Sequence, residues 1–592
     1  MKKTLLLISS LITSMSFSQN LTITESGRYT DSREGACEIS CYDKDSKKLF
    51  VTNAASDSID IINVSNIHSP QKIGGINVLN YGGGVNSVVA LNNGYIAAAI
   101  EATVKQDSGF VVFFDTAGTF ISLVKVGALP DMITVTPDGN KVITANEGEP
   151  NDAYTIDPKG SISIIDISKG VSNVTQSDVT LLFFDNAPVN IPGSIKNPAT
   201  NYNVDLEPEY VAINTNSTIA MVVCQESNVF IEVDLIGDSI LSYLGLGFKD
   251  HSLPGNGIDA SNKDIGINIQ NWPVKGVFQP DAISSYEAFG RTYYLSANEG
   301  DGRDYSGFSS ETRIKDLTLD SITFPNRDSI QNDTTLGRLK TFTENIIGDT
   351  DGDGDVDELY SYGARSFSIW DETGYLVWDS GDEIEQYMAT NYPTFFNCND
   401  GKDSKFDSRS DDKGPEPEAI TTGRIGNRSY AFVGLERQGG ILVYDITTPT
   451  HPFFDQYIQN MDTTTGEMID IAPEGLIFVS SEKSHTGTNL LVSSNEVSGT
   501  VTIYELLDNL VSNEEISKSK ISIYPNPTNG LITIENEDIS SFNLFNSLGK
   551  MIKTGVLNGT TTLDLNNFEN GLYIIQMIDN QGNATSKKVI KN

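Results

Sequence analysis

Cysteine, histidine and positive charge are scarce in this chain. Its 592 residues hold four cysteines and four histidines, with 40 lysines and arginines against 79 aspartates and glutamates. Four cysteines cannot staple a chain of this length into a disulfide framework. Cys37 and Cys41, four apart on one expected strand, stand about 13 Å apart if it is straight, too far for a bond. Free or singly paired cysteines are therefore expected. His68, His251, His451 and His485 show no metal-ligand pair spacing, and no GxSxG, phosphate-binding loop or dinucleotide fingerprint accompanies them. The net charge of -39 opposes nucleic acid and anionic membranes, which select lysine and arginine stripes, and favours cations. Beyond the N-terminus no run approaches the roughly 18 apolar residues of a membrane helix, so no transmembrane segment is expected.

The N-terminus does carry an apolar run. MKKTLLLISSLITSMSFSQN has Lys2 and Lys3, an apolar stretch from Leu5 to Ile12, and Ser16-Phe17-Ser18 as a small-x-small cleavage signal. This predicts a secretory signal peptide over residues 1–18 and a mature chain from Gln19. With 20% charged residues and 9% aromatics, the rest can bury enough apolar surface to fold.

Repetition organises that remainder. Five times a proline is followed by an acidic residue that opens a strand-like run, and a glutamate ends the next run: Asp131/Glu147, Glu209/Glu226, Asp281/Glu299, Glu418/Glu436 and Glu474/Glu496. In LPDMITVTPDGNKVITANEGE, alternation on both sides of Asp138-Gly139 marks an antiparallel hairpin, and counting outward from the turn sets Asp131 beside Glu147. A Gly- or Ser-led strand ending in Asp follows most hairpins, as in GSISIIDIS and GGILVYDIT. About forty residues per four-stranded unit predicts an all-β chain, an about seven-bladed β-propeller over residues 19–507. The fifth unit is split by an insertion at 306–363, and two polar loops, 245–275 and 391–415, are expected to cover one face. A polar linker at 508–520 then leads to a small C-terminal β-sandwich at 521–592.

Two resemblances follow from motifs. ISIYPNPTNG, FNLFNSLGK, GLYIIQMID and the terminal KKVIKN resemble the type IX secretion C-terminal sorting domain of Bacteroidetes. That resemblance implies outer-membrane translocation by the type IX secretion machinery, then removal of the module with release or surface attachment. The hairpins resemble YVTN-type propeller repeats. SREGACEIS, ANEGDGRDY, DGDGDVDELYSYGARSFSIWD, FDSRSDDKGPEPE and GLERQGGILVYDIT resemble the choice-of-anchor I family, related to mesenchyme-specific cell surface glycoproteins. This implies a propeller and export, and leaves the chemistry open.

The recurrent carboxylates are the first candidate site. A hairpin returns to its starting edge, so a closed array gathers Glu147, Glu209, Glu226, Asp281, Glu299, Glu418, Glu436 and Glu496 on one rim, where a hard cation with oxygen ligands, Ca2+ outside the cell, would relieve their repulsion. Alternatively each glutamate accepts N–H bonds from its neighbour and locks the ring. The second candidate is DTDGDGDVDELY, with Asp349, Asp351 and Asp353 at the first, third and fifth calcium-loop positions, Gly354 sixth, Asp355 seventh and Asp357 ninth. Position twelve is Tyr360 instead of a bidentate glutamate. Arg303, Arg365, Arg409 and Lys413 lie in these Asp-rich stretches as anion-binding candidates or as ion-pair partners. The expectation is a secreted calcium-binding propeller acting as a binding or structural module on an unknown small-molecule or surface ligand. A calcium-dependent phosphoester hydrolase, phytase-like or alkaline-phosphatase-like, is the enzyme alternative, and a lactonase-like propeller a weaker one.

Overall fold

The isoleucine- and valine-rich runs form strands buried on both sides. In strand Lys141–Asn146, Val142 packs with Ala97, Ala99 and Val111 of the preceding sheet, while Ile143 packs with Ala220, Val222 and Ile231 of the next. The period of two thus serves two cores at once, each buried aliphatic side chain contributing about 1.5–3 kcal/mol. The computed structural model describes residues 21–508 apart from 92 and 463, and 522–592 apart from 536–538, 547–549, 558–559 and 580–583. The expected signal peptide, and the linker beyond 508, lie outside the described residues.

Contacts divide the chain after Asp508 into two units. Among the described residues, the first contains seven four-stranded antiparallel sheets. Their innermost strands touch in succession, and Pro473–Val479 of the last meets Ser40–Asp43 of the first, so the series closes as a propeller. The closing sheet takes its outer strand from the chain's start: Leu21–Thr30 pairs antiparallel with Thr500–Asp508, from Leu21 opposite Asp508 to Thr30 opposite Thr500. Asp508, expected in the linker, therefore belongs to the propeller.

At three hairpins the asparagine that ends the second strand acts as a latch. Asn146 Nδ2 donates to Ser163 Oγ at 2.9 Å, Asn298 Nδ2 to Ser368 Oγ at 2.8 Å and Asn495 Nδ2 to Thr500 Oγ1 at 3.1 Å. Each buried amide ties the second strand to the hydroxyl-bearing third, which is why both residue types recur.

The expected pairing of Asp131 with Glu147 needs correction. Pro130 lies opposite Asn146 and Met132 opposite Ala145, so Asp131 is the extra residue of a β-bulge. Glu147 sits one step further out, its N–H bonded to Leu129 O at 2.8 Å. The register slips in the same way after Pro417 and Pro473. At these three hairpins the bulge turns the first carboxylate of the pair away from the ladder.

The insertion and the 245–275 stretch are not separate loops. Phe248–Asp250 and Lys275–Val277 join Tyr360–Ser361, Lys340–Phe342 and Glu311–Arg313 in one five-stranded satellite sheet. Ile258 and Val274 share its core with Ile314, Leu336 and Val356. The insertion's stems meet at Gly300 and Gly363, both at positive φ, where a Cβ on Gly300 would lie 2.1 Å from Gly363 N.

The second unit holds a three-stranded and a four-stranded antiparallel sheet around Ile532, Ile534, Leu544 and Ile575. Among the described residues no helix is long and apolar enough to cross a membrane. All four cysteines are free and buried.

Candidate metal centre

The bulges send Asp131, Glu418 and Glu474 into a central cavity of about 360 Å³ lined by the innermost strands, and Asp281 lines it too. Burial raises Asp131 to about 6 and pushes Asp281, Glu418 and Glu474 well above the usual carboxylate range. The outer carboxylates do not form one continuous ring. Glu147 and Glu226 converge with Glu209, and Glu299 and Glu436 with Glu416, in two nests of three.

In the first nest, Glu147, Glu209 and Glu226 each bring an oxygen within 4.8 Å of the others'. Glu147 follows the second strand of the third sheet, Glu226 that of the fourth, and Glu209 opens the fourth sheet after Pro208. Glu209 and Glu226 are each 8% exposed, and the Oε2 atom of each is buried without a hydrogen-bond partner among the described residues. Arg303, whose charge reaches Glu226, makes its ion pairs with Glu207 at 2.5 Å and Asp205 at 3.8 Å instead. Burial, reinforced by the neighbouring carboxylates, lifts Glu147 and Glu209 well above their ordinary values. Burial raises Glu226 to about 7 despite Arg303. Three carboxylates held together in this way are stabilised by protonation or by a hard cation.

The second nest gathers Glu299, Glu416 and Glu436 within the same limit. Here the chain supplies the counter-charge. Lys413 Nζ lies 2.5 Å from Glu299 and 3.4 Å from Glu416, Arg409 is 2.6 Å from Glu416, and Arg437 is 2.7 Å from Glu436. Burial works against the Lys413 charge, but Glu299 and Glu416 outweigh it and hold the ammonium well above its ordinary value.

All four anion-binding candidates are engaged within the protein. Besides Arg303, Arg409 and Lys413, Arg365 is buried against Glu385 at 2.7 Å and donates to the carbonyls of Asp259, Ser410 and Asp412. That fixes the 407–414 segment that presents Lys413. Glu496 lies outside both nests, where burial raises it and Arg437 opposes.

In the acidic loop, Asp349, Asp351 and Asp353 come within 4.8 Å of one another on a largely exposed turn. Gly352 and Gly354 donate N–H bonds to Asp349 at 2.6 and 3.0 Å. Asp355 and Asp357 stay outside the trio: Asp357 accepts from Thr350 N and Oγ1 at 2.9 and 2.8 Å. Tyr360, in place of the twelfth ligand, donates to Glu358 at 2.5 Å.

The sequence reading omitted Glu416, Glu207 and Arg437. The tripeptide Glu-Pro-Glu occurs at 207–209 and again at 416–418. Each tripeptide supplies one member of a nest, but from opposite sides of its proline: Glu209, after Pro208, joins the first, and Glu416, before Pro417, the second.

The family model for the choice-of-anchor I domain matches residues 38–449, and the chain belongs to that family. The secretion system C-terminal sorting domain matches residues 522–592 and marks the chain for secretion and surface attachment by the type IX system. Gigasin-3a of Magallana gigas is 32% identical over 217 residues, 33% of this chain and 74% of that protein. The mesenchyme-specific cell surface glycoprotein of Strongylocentrotus purpuratus is 26% identical over 355 residues, 53% of this chain and 42% of the glycoprotein. Among solved structures, Kuenenia stuttgartiensis hydrazine synthase is similar at a TM-score of 0.41 and 10% identity, covering 79% of this chain and 95% of that one. The Cps50 (Swd1) β-propeller domain of Myceliophteria thermophila is similar at 0.38 and 9%, covering 82% and 99%.

Proposed function

We propose that this secreted propeller binds calcium and acts at or beyond the cell surface as a binding module. The supporting observation is the Glu147, Glu209 and Glu226 nest, with its two orphaned, buried carboxylate oxygens and no ion pair among the described residues. An all-oxygen donor set of high negative charge suits calcium, whose remaining positions water fills from the open side. The Asp349, Asp351 and Asp353 trio is a second, weaker calcium site, because much of Asp349 already serves the loop's own N–H groups. The engagement of Arg303, Arg365, Arg409 and Lys413 speaks against the phosphoester hydrolase, which needs cations free to hold phosphate. A lactonase-like use of the nest needs no such cations, and a lactone screen with and without chelator tests it.

Calcium titration of the full chain by calorimetry tests the proposal. Two classes of site are expected. Glu147→Gln with Glu226→Gln, which keeps shape while removing charge, should abolish the tighter class. At a hundredfold excess over its Kd, calcium should add about 2.7 kcal/mol to the parent's stability, and that gain should vanish in the variant. Identical isotherms for parent and variant would refute the nest as a calcium site.

A further inference from the structure

We infer that Gln279 supplies an uncharged oxygen, its Oε1, to a calcium ion held by Glu147, Glu209 and Glu226. This rests on the first nest being a cation site and names a ligand that its carboxylates do not include. Gln279 is fully buried, and its Oε1 has no hydrogen-bond partner among the described residues. Every other polar group of the residue is engaged. Its N–H donates to Asn228 Oδ1 at 2.9 Å, its carbonyl accepts from Gly300 N at 3.0 Å, and its Nε2 donates to the carbonyls of Glu226 and Asp301 at 3.4 and 2.5 Å. Turning the amide over would set Oε1 against two carbonyl oxygens, so the network fixes which end stays free.

Gln279 and Glu226 line one small cavity of about 10 Å³, the size of a single water or ion. Both residues carry an orphaned acceptor oxygen, so an occupant must bring protons or positive charge. Arg303 borders the same cavity, but its guanidinium is taken by Glu207 and Asp205. Calcium takes about six to eight oxygen ligands, amide carbonyls among them, and three carboxylates leave positions in that shell to fill. The backbone points to the same role. Gln279 stands before Pro280 at φ 41°, as Glu416 of the second nest stands before Pro417 at φ 53°. A left-handed conformation costs a non-glycine residue about 1–3 kcal/mol and persists where its surroundings impose it. In the sixth sheet this position brings a carboxylate into a nest, and in the fifth it brings an amide beside Glu226.

The test uses terbium(III), a luminescent substitute for calcium, on full chain carrying Asp351→Ala and Asp353→Ala so that the acidic loop does not contribute. Luminescence decay in H2O against D2O counts the waters on the bound ion. Gln279→Met, which keeps the volume and removes both ends of the amide, is expected to add one water. It should also weaken calcium about tenfold or more, the loss that follows even when a residue merely hydrogen-bonded to a ligand is removed. Gln279→Glu, which keeps an oxygen and lacks the Nε2 donor, should hold the parent's water count. An unchanged count and calcium isotherm in Gln279→Met would mean that Oε1 faces a buried water, and overturns the inference. So does Gln279→Glu behaving like Gln279→Met, because the amide then acts only by bracing the Glu226 and Asp301 carbonyls. Failure of the nest reading shows separately, as terbium and calcium binding left at parent levels by Glu147→Gln with Glu226→Gln.

Discussion

The Glu-Pro-Glu tripeptides at 207–209 and 416–418 stand at two junctions of one ring, and the chain compensates them unequally. At the second, Lys413, Arg409 and Arg437 face Glu299, Glu416 and Glu436. At the first, a single guanidinium, Arg303, is taken by Glu207 and Asp205, leaving Glu147, Glu209 and Glu226 without an ion pair among the described residues. Each tripeptide supplies one carboxylate to its nest, Glu209 to the first and Glu416 to the second, but the counter-charge is present only at the second. The difference lies in the loop folded over each nest: the 407–414 segment, pinned by Arg365, brings an ammonium to one, and among the described residues no lysine or arginine pairs with the other.

Removing the built-in cation should have the largest effect. Lys413→Met leaves the carboxylates around it short of an ammonium, and stripping one partner from a buried ion pair costs about 3–5 kcal/mol. Urea unfolding in chelator should show a loss of that size. Calcium should then restore part of it and bind with one more equivalent than in the parent. A variant that melts like the parent, or gains nothing from calcium, shows the two nests to be unrelated in chemistry.

The pH dependence should also differ with and without metal. Burial raises folded Glu226 to about 7, above the ordinary carboxylate value of about 4.3, so the metal-free folded state holds more protons than the unfolded state between those values. Stability is then fully present below the unfolded pKa and falls as pH rises through about 7, by roughly 1.4 kcal/mol per pH unit for each extra proton held. Calcium displaces those protons, so the loaded protein should gain relative stability as pH rises. Melting temperatures from pH 4.5 to 8, with chelator and with calcium, should diverge upward. Parallel curves would mean that the nest stays protonated and metal-free.

Much of this was legible in the sequence because it is periodic. The hairpins and the acidic residue after the recurrent prolines repeat along the chain, and a repeat exposes its own pattern. Two kinds of information escaped. Counting from a turn sets Asp131 beside Glu147 because it assumes an unbroken ladder, and a bulge adds one residue without a distinct residue type to announce it. Arg303 and Lys413 were recognised as candidates, but whether such a cation waits for an anion or neutralises Glu207 or Glu299 depends on contacts 96 and 114 residues apart in the chain. The closing strand Leu21–Thr30 was missed for the same reason, since its partner lies at the other end of the propeller.

The smallest expected effect concerns the acidic loop, which has no buried, unpartnered trio like that of the first nest. Asp351 is exposed, and the neighbouring Asp353 charge raises its pKa, so a cation there relieves repulsion at the surface, where water already screens it. Asp351→Ala with Asp353→Ala should accordingly leave global stability close to the parent's. The local effect should be larger. The loop joins the satellite sheet through Leu319 and Val356, so losing its calcium should free the 306–363 insertion for protease while the propeller stays intact. Limited proteolysis with calcium present should cut the variant within the insertion and spare the parent. Equal resistance would mean that the Asp349 hydrogen bonds to Gly352 and Gly354 order the loop without metal, and the first nest would then account for all calcium-dependent stability.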